Sequence, residues 1–433
     1  MLLGFQAQNF RSFRDSFELS LMATRLSEEG VPRELAWREG GRLISVLPAA
    51  GIFGANASGK SNLLFAMASM RSLVLGSFRR GPGARLHRNP FLLGEDEGEL
   101  PSAFAIDLVL EGVRYEYGFE LDSDRIIHEW ARNYPHGRAS LLLERIDGEV
   151  RLGPRERTRG RTTEEILRPN ALFLSTAAAT GHPVFLPLFE WFKRNLILAD
   201  VQTRAARRAF TTKLMEDDRV RDQMLELLRE ADLGITDVSR RELDPEFKEK
   251  LARVMDIFRG EDPDDDLEEF ELDEFEVRLT HQGQRSVDLP FAQESWGTVV
   301  WFGLIGPVVE ALRNGTVLLA DEIEASLHPS LVAALVDLFQ SQRSNPRGAQ
   351  LIFNTHEVTL MGDTAGRPLG RDQVWLTERD EDGASHLRPL SAEAPRRKEA
   401  VGRRYLAGHY GGVPIISPAR IREIAEPVGD PEI

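Results

Sequence analysis

The sequence predicts an α/β protein with a mixed sheet core, an antiparallel β meander and a helical insertion. Three observations predict it. The apolar runs "LISVLPAAGIFG", "GTVLLADE" and "AQLIFNTH" each lie beside a helix-like pattern. The run from Ser102 to Arg132 alternates apolar and polar residues, the period of half-buried strands. From about Pro183 to Gly260 the periodicity turns helical. The pieces of a sheet domain thus stand at both ends of the chain. We expect an N-terminal lobe over 1–180, a helical insertion over 181–269 and a C-terminal lobe over 270–433.

In chain order, "LLGFQAQNF" and "DSFELSLMA" read as two strands joined by "RSFR". "LISVLPAAGIFG" reads as a strand entering a Gly-rich loop, and "SNLLFAMASMRSLVL" as the helix after it. The meander follows, with turns at Glu111-Gly112 and Asp122-Ser123. "SLLLERIDGEVRL" adds a hairpin through Asp147-Gly148. The middle reads as helices at "LPLFEWFKRNLIL", "RVRDQMLELLREADLG" and "PEFKEKLARVMDIF". No heptad repeat is sustained, so no long coiled coil is expected. The acidic run Gly260–Glu274 reads as a solvated loop. Strands return at "FEVRLTHQGQRSVDL", then a helix from about Ser295, a strand to Asp321, a helix "PSLVAALVDLFQSQ" and a strand ending at His356. "DQVWLTERDEDGASHLRPL" reads as a hairpin.

Composition narrows the class. The chain has 433 residues, of which 42% are hydrophobic, enough for a substantial core. It has no Cys, which excludes disulfides, thiolate metal sites and a Cys nucleophile, and fits a cytoplasmic setting. The N-terminus lacks a secretory pattern. The longest apolar stretch, Val299 to Leu312, falls short of the roughly 20 residues that span a bilayer, so it reads as a buried helix and no membrane partner is expected. A net charge of −15 argues against coating nucleic acid over the whole surface. Arg-rich runs at Arg151–Arg161, Arg204–Arg208 and Arg396–Arg404 read equally as solvated surface or as local basic faces.

Four motifs carry chemistry. Gly54-Ala55-Asn56-Ala57-Ser58-Gly59-Lys60-Ser61 fits G-x-x-x-x-G-K-[ST] between a strand and a helix. Such a loop, continuing into Asn62, turns backbone N–H groups and a helix N-terminus toward phosphate. Lys60 is expected to reach the β- and γ-phosphates of ATP, and Ser61 to ligate Mg²⁺. In "TVLLADEIEASLHP" an apolar strand delivers Asp321 and Glu322 to its carboxyl end, where open α/β sheets place ligands. Asp321 is expected to hold Mg²⁺ and Glu322 to activate the attacking water. "AQLIFNTHE" delivers Thr355-His356 to a third strand end, where a His can orient that water. "QESWGTVVWF" places Ser295 and Gly297 at a helix start, an anion-binding arrangement.

The order of these pieces resembles the ABC-type ATPase head, in its SMC/RecF-like branch. "NFRSF" stands where that branch brings Arg11 and Ser12 to the nucleotide. "ESWGT" stands at the signature motif, usually LSGGQ, with Trp296 replacing the first Gly and Thr298 the Gln. "ASLHP" follows as the D-loop, and His356 matches the switch histidine. The chain is similar, within that branch, to short prokaryotic RloA-like ATPases of restriction and anti-phage loci. "GANASGKSN", "DEIEASLHP", "NTHE" and "YLAGHYGGVPII" (Tyr405–Ile416) carry this likeness. The resemblance implies a homodimer, or higher homo-oligomer, in which two heads sandwich two ATPs between the loop of one and Ser295/Gly297 of the other. It implies a Q-loop glutamine to which no residue is assigned. It also implies a separately encoded effector, such as a TOPRIM/RloB-like nuclease, with DNA or a phage component as a further partner.

Three other readings compete. A nuclease of the overcoming-lysogenization-defect type would need a TOPRIM metal pair, which Asp380-x-Asp382 mimics. An acidic hairpin turn closed by Gly383 explains that segment better. A RecF/SMC-like DNA-maintenance ATPase fits the motifs but not the charge or the missing coiled coil. A transporter subunit fits the meander but not "NFRSF" or the middle insertion.

Overall fold

The computed structural model describes residues 1–39, 42–135, 137–154, 156–199, 204–231, 233–242, 275–361, 369–396, 399–414 and 417–425. In chain order the strands are β1 (Leu2–Gln8), β2 (Phe17–Ser20), β3 (Arg33–Glu39), β4 (Arg42–Val46), β5 (Ala49–Gly54), β6 (Ser102–Leu110), β7 (Val113–Leu121), β8 (Ile126–Tyr134), β9 (Ser140–Ile146) and β10 (Glu149–Leu152). They continue with β11 (Leu196–Ala199), β12 (Ile235–Glu242), β13 (Phe275–Gln282), β14 (Ser286–Pro290), β15 (Val317–Ala320), β16 (Gln350–Asn354), β17 (Val374–Arg379) and β18 (Ser385–Pro389).

A six-stranded sheet runs β11-β15-β16-β5-β17-β18, with β18 the one antiparallel neighbour. Its inner strands are largely apolar because both faces are covered. Every residue of β5, β15 and β16 is buried. Successive residues feed opposite cores. Ala50 and Ile52 point to one core, Ala49 and Phe53 to the other.

The first core lies between this sheet and a seven-stranded antiparallel sheet of order β10-β9-β8-β7-β6-β1-β2. The helix Lys60–Gly76 buries Leu63, Met67, Met70 and Val74 in it. The second core holds the helices Trp296–Asn314 and Pro329–Gln340. Trp296–Asn314 is apolar on every side, as a helix enclosed by protein must be. One of its small residues admits a close neighbour. A Cβ on Gly306 would lie 2.3 Å from Thr211 Oγ1 on the helix Arg204–Leu214.

Most of the predicted elements are present. β1 and β2 pair antiparallel, and β6 to β8 form the meander. The turns Glu111-Gly112 (φ 48° and 78°) and Asp147-Gly148 (φ 48° and 91°) hold two successive left-handed residues, as tight hairpins require. Three expectations are corrected. "LISVLPAAGIFG" is two strands, not one: β4 pairs with β3, and β5 enters the six-stranded sheet beyond Pro48, which has no N–H to continue a ladder. In "LPLFEWFKRNLIL" the helix stops at Asn195, and Leu196–Ala199 is β11, paired with β15 in the central sheet. The middle stretch is not all helical, because β12 pairs with β13. Sheet pairing overrides local helical periodicity in both places. "PEFKEKLARVMDIF" and most of the acidic run fall outside the described residues. "RAARR" is not all solvated: Arg207 is buried, and Arg208 stacks over Phe291 at 5.4 Å.

Candidate active site

β5 ends at Gly54, and the loop 55–59 leads into the helix that begins at Lys60. Gly54 is required by contact: an added Cβ would sit 2.3 Å from Thr377 Oγ1 and 2.5 Å from Ser58 Oγ. Ser58 and Thr377 share a 2.6 Å hydrogen bond that ties the loop to β17. Gly59 caps the helix at φ 101°, and its missing Cβ leaves room for Ser385 Oγ at 2.4 Å. No side chain caps this helix, so its first N–H groups remain available to an anion. Asn56 is exposed at the rim of the loop.

Lys60 is buried and folds back on the loop, donating to Gly54 O at 3.0 Å and Ala55 O at 2.8 Å. Burial pulls its pKa down to about 8, against the opposing pull of Glu324, Glu322 and Asp321. A phosphate placed in the loop would supply the negative charge that this ammonium lacks.

β15 carries Asp321 and Glu322 to the same edge of the sheet, and β16 carries His356. Ser61 and Asp321 come together there: Asn354 Nδ2 donates to Ser61 Oγ at 3.1 Å and to Asp321 Oδ1 at 2.5 Å. Two hard oxygens gathered on one point fit Mg²⁺, which binds oxygen ligands and keeps several waters. Glu322 is exposed with a left-handed backbone, φ 49°, and its N–H donates to Asn354 Oδ1. His356 is exposed, and its N–H donates to Glu324 Oε1 at 2.7 Å. Partial burial and then the Lys60 charge lower the imidazole pKa, with Glu324 and Glu322 opposing, so the ring is neutral at neutral pH.

Arg11 and Ser12 do reach the loop's helix. Phe10 and Phe13 exchange two backbone bonds of 2.8 Å, and the turn between them holds Arg11 at φ 50°. Asn62 Nδ2 donates to Ser12 Oγ at 2.7 Å, and Arg11 stacks over Phe65 at 4.5 Å. Ser295 and Gly297 lie elsewhere. Among the described residues no hydrogen bond joins them to residues 54–61. Ser295 caps its own helix, its Oγ accepting the Thr298 N–H at 3.1 Å, and Trp296 beside it is 53% exposed. Gly297 is held against the D-loop, because a Cβ there would meet Ser326 O at 2.8 Å.

The sequence reading missed Asn354, Thr377, Ser385 and Glu324. One signal was present: a polar Asn closing the apolar run Leu351–Phe353 directly before Thr355-His356. The segment from Tyr405 also has a place. Tyr405 packs edge-on to Phe53 at 6.4 Å and its hydroxyl donates to Gly412 O at 2.9 Å. That fold lays Gly412 against Gly54, so the segment backs the phosphate loop. Asp380 belongs to a turn: it accepts from Ala384 N–H and bonds His386 Nε2, both at 2.8 Å, and Gly383 closes it at φ 81°. No cluster of three or more His, Cys, Asp or Glu that could hold a metal occurs among the described residues, and no described helix is long and apolar enough to cross a membrane.

The sheet and the groups at its edge define a P-loop ATPase domain. A family model described as "AAA domain, putative AbiEii toxin, Type IV TA system" matches residues 49–362, more than half of the chain, and the chain belongs to that family. The chain is also similar to a solved Smc head domain with an extended coiled coil, bound to the C-terminal domain of ScpA, from Pyrococcus furiosus. Identity is 13%, coverage is 91% of this chain and 97% of that one, and the TM-score is 0.39. No curated protein matches the chain.

Proposed function

We propose that this chain binds and hydrolyses ATP, and that two copies close around two ATPs as the sensor or motor of a prokaryotic anti-phage system with a separately encoded effector. The observation that carries hydrolysis is the meeting of Ser61, on the helix after β5, and Asp321, at the end of β15, on the amide of Asn354. Lys60 and the helix N-terminus hold the phosphates. Mg²⁺ held by Ser61 and Asp321 would neutralise charge that develops on phosphate oxygens. Glu322 takes the proton of the attacking water, and neutral His356 orients that water. Arg11, Ser12, Asn56, Ser58, Gly59 and Asn62 complete the nucleotide contacts of one protomer. Ser295 and Gly297 serve the partner's γ-phosphate.

The exposed position of Ser295 and Trp296 supports the two-headed arrangement. The family's description as a toxin of a toxin–antitoxin system supports a defence role shared with another gene product. We assign the RloA-like subgroup, a cytoplasmic setting and lobes over 1–180 and 270–433 on the same footing, around a middle segment whose β11 belongs to the central sheet. The turn geometry of Asp380 favours a separate effector over a nuclease centre in this chain. Phosphate release by the purified full chain tests the reading. Lys60→Ala should abolish nucleotide binding, and Glu322→Gln should bind ATP with turnover reduced by about 10²–10⁴-fold. Wild-type turnover by either variant refutes the site. Co-purification of the neighbouring gene's product tests the effector.

A further inference from the structure

The geometry points to Asn354 as a positioning residue that sets the metal-binding pair and the general base at once. This rests on the ATPase reading and adds a residue to it. The topology puts Asn354 where it can do so. β16 lies between β5, which leads to Ser61, and β15, which leads to Asp321. Asn354 pairs in register with Ile52 of β5, and its predecessor Phe353 pairs with Ala320 of β15. Its side chain is fully buried.

Each polar atom of that side chain has a distinct task. Nδ2 donates one hydrogen to Ser61 Oγ at 3.1 Å and the other to Asp321 Oδ1 at 2.5 Å. Oδ1 accepts the N–H of Glu322. The backbone joins in, because Ile323 N donates to Asn354 O at 3.3 Å. The turn bearing Glu322 is therefore pinned on both sides. This matters because Glu322 is a non-glycine residue at φ 49°, a conformation that needs support from its surroundings. Two donors and one acceptor on a short rigid side chain are what Asn offers. Asp lacks the donors, Ser lacks one donor and the reach, and Ala lacks all three. Partners that orient metal ligands in this way typically matter 10- to 100-fold to metal affinity.

The test compares the full chain with Asn354→Ala, Asn354→Ser and Asn354→Asp. Binding of a fluorescent ATP analogue is titrated with Mg²⁺, and turnover is measured separately. Nucleotide affinity without Mg²⁺ should stay within about twofold, since the loop and Lys60 are untouched. The Mg²⁺ concentration giving half-maximal enhancement should rise about 10- to 100-fold for Ala and Ser. Asn354→Asp keeps an acceptor for the Glu322 N–H and adds a carboxylate. It should hold Mg²⁺ yet turn over at least about tenfold more slowly, because the donors that aim Asp321 and Ser61 are gone. Thermal melts identify a variant that does not fold, and the remaining two then decide. Wild-type Mg²⁺ dependence in the folded Ala or Ser variant overturns the inference. So does wild-type turnover by Asn354→Asp, which would make the residue a direct ligand. A wild-type chain that neither binds nor hydrolyses ATP sinks the ATPase reading instead.

Discussion

The end of β16 and the start of the helix Trp296–Asn314 differ in where their polar groups find partners, across neighbouring elements in the first and within one helical turn in the second. At β16 the Asn354 amide is buried and bonded to Ser61, Asp321 and Glu322. At the helix start Ser295 and Trp296 are exposed, Ser295 Oγ accepts the Thr298 N–H of its own turn, and the D-loop backbone at Ser326 closes on Gly297. The first region is organised by neighbouring strands of one sheet, so it is set as soon as the chain folds. The second is a helix start that Ser295 caps locally, on an exposed stretch of the surface. On the proposed reading, the chain prepares one half of a phosphate site internally and offers the other half to a partner.

The largest expected effect breaks the internal half. Glu322→Gln should keep nucleotide binding and lose about 10²–10⁴-fold in turnover, measured as phosphate release at saturating ATP. A smaller effect comes from Gly59→Ala, at φ 101° with Ser385 Oγ 2.4 Å from the new Cβ. It should weaken nucleotide binding and cost about 1–3 kcal/mol of stability by chemical denaturation. Gly297→Ala is its counterpart in the offered half. It should leave the nucleotide affinity of an isolated protomer within about twofold while weakening ATP-driven association. Equal effects of the two substitutions on protomer affinity would erase the distinction.

How much of this the sequence shows depends on how local each feature is. The loop 54–61, the Asp321-Glu322 pair and the Asp147-Gly148 turn each need only a few consecutive residues, and all are legible. Asn354 is not, because its role depends on β16 lying between β5 and β15. Thr377 and Ser385 meet residues 58, 59 and 12 only through the order of the sheet. β11 hides in a helical pattern because its strand form comes from pairing with β15. The turn at Asp380 is legible from its Gly, whereas the backing of Gly54 by Gly412 is not.

The smallest effect sharpens the picture of Lys60. Burial lowers its pKa to about 8, so above that pH the free folded chain has largely lost a proton that the unfolded chain retains up to its higher pKa. The contribution of this group to stability therefore rises with pH between about 8 and about 10.4. Nucleotide phosphates favour the charged ammonium, so binding at about pH 9 should take up close to one proton and weaken as pH rises. Calorimetry in two buffers of different ionisation enthalpy reads that proton. Binding by the wild-type chain at that pH with no proton uptake would contradict the assignment to Lys60.

The central claim is that the phosphate site is completed by a second copy of the chain. Sedimentation velocity of the Glu322→Gln chain, with and without Mg²⁺ and ATP, tests it most directly. The account predicts that ATP doubles the sedimenting mass and that Gly297→Ala in the same background weakens the change. A chain that binds saturating ATP and remains at the mass of one protomer would contradict it.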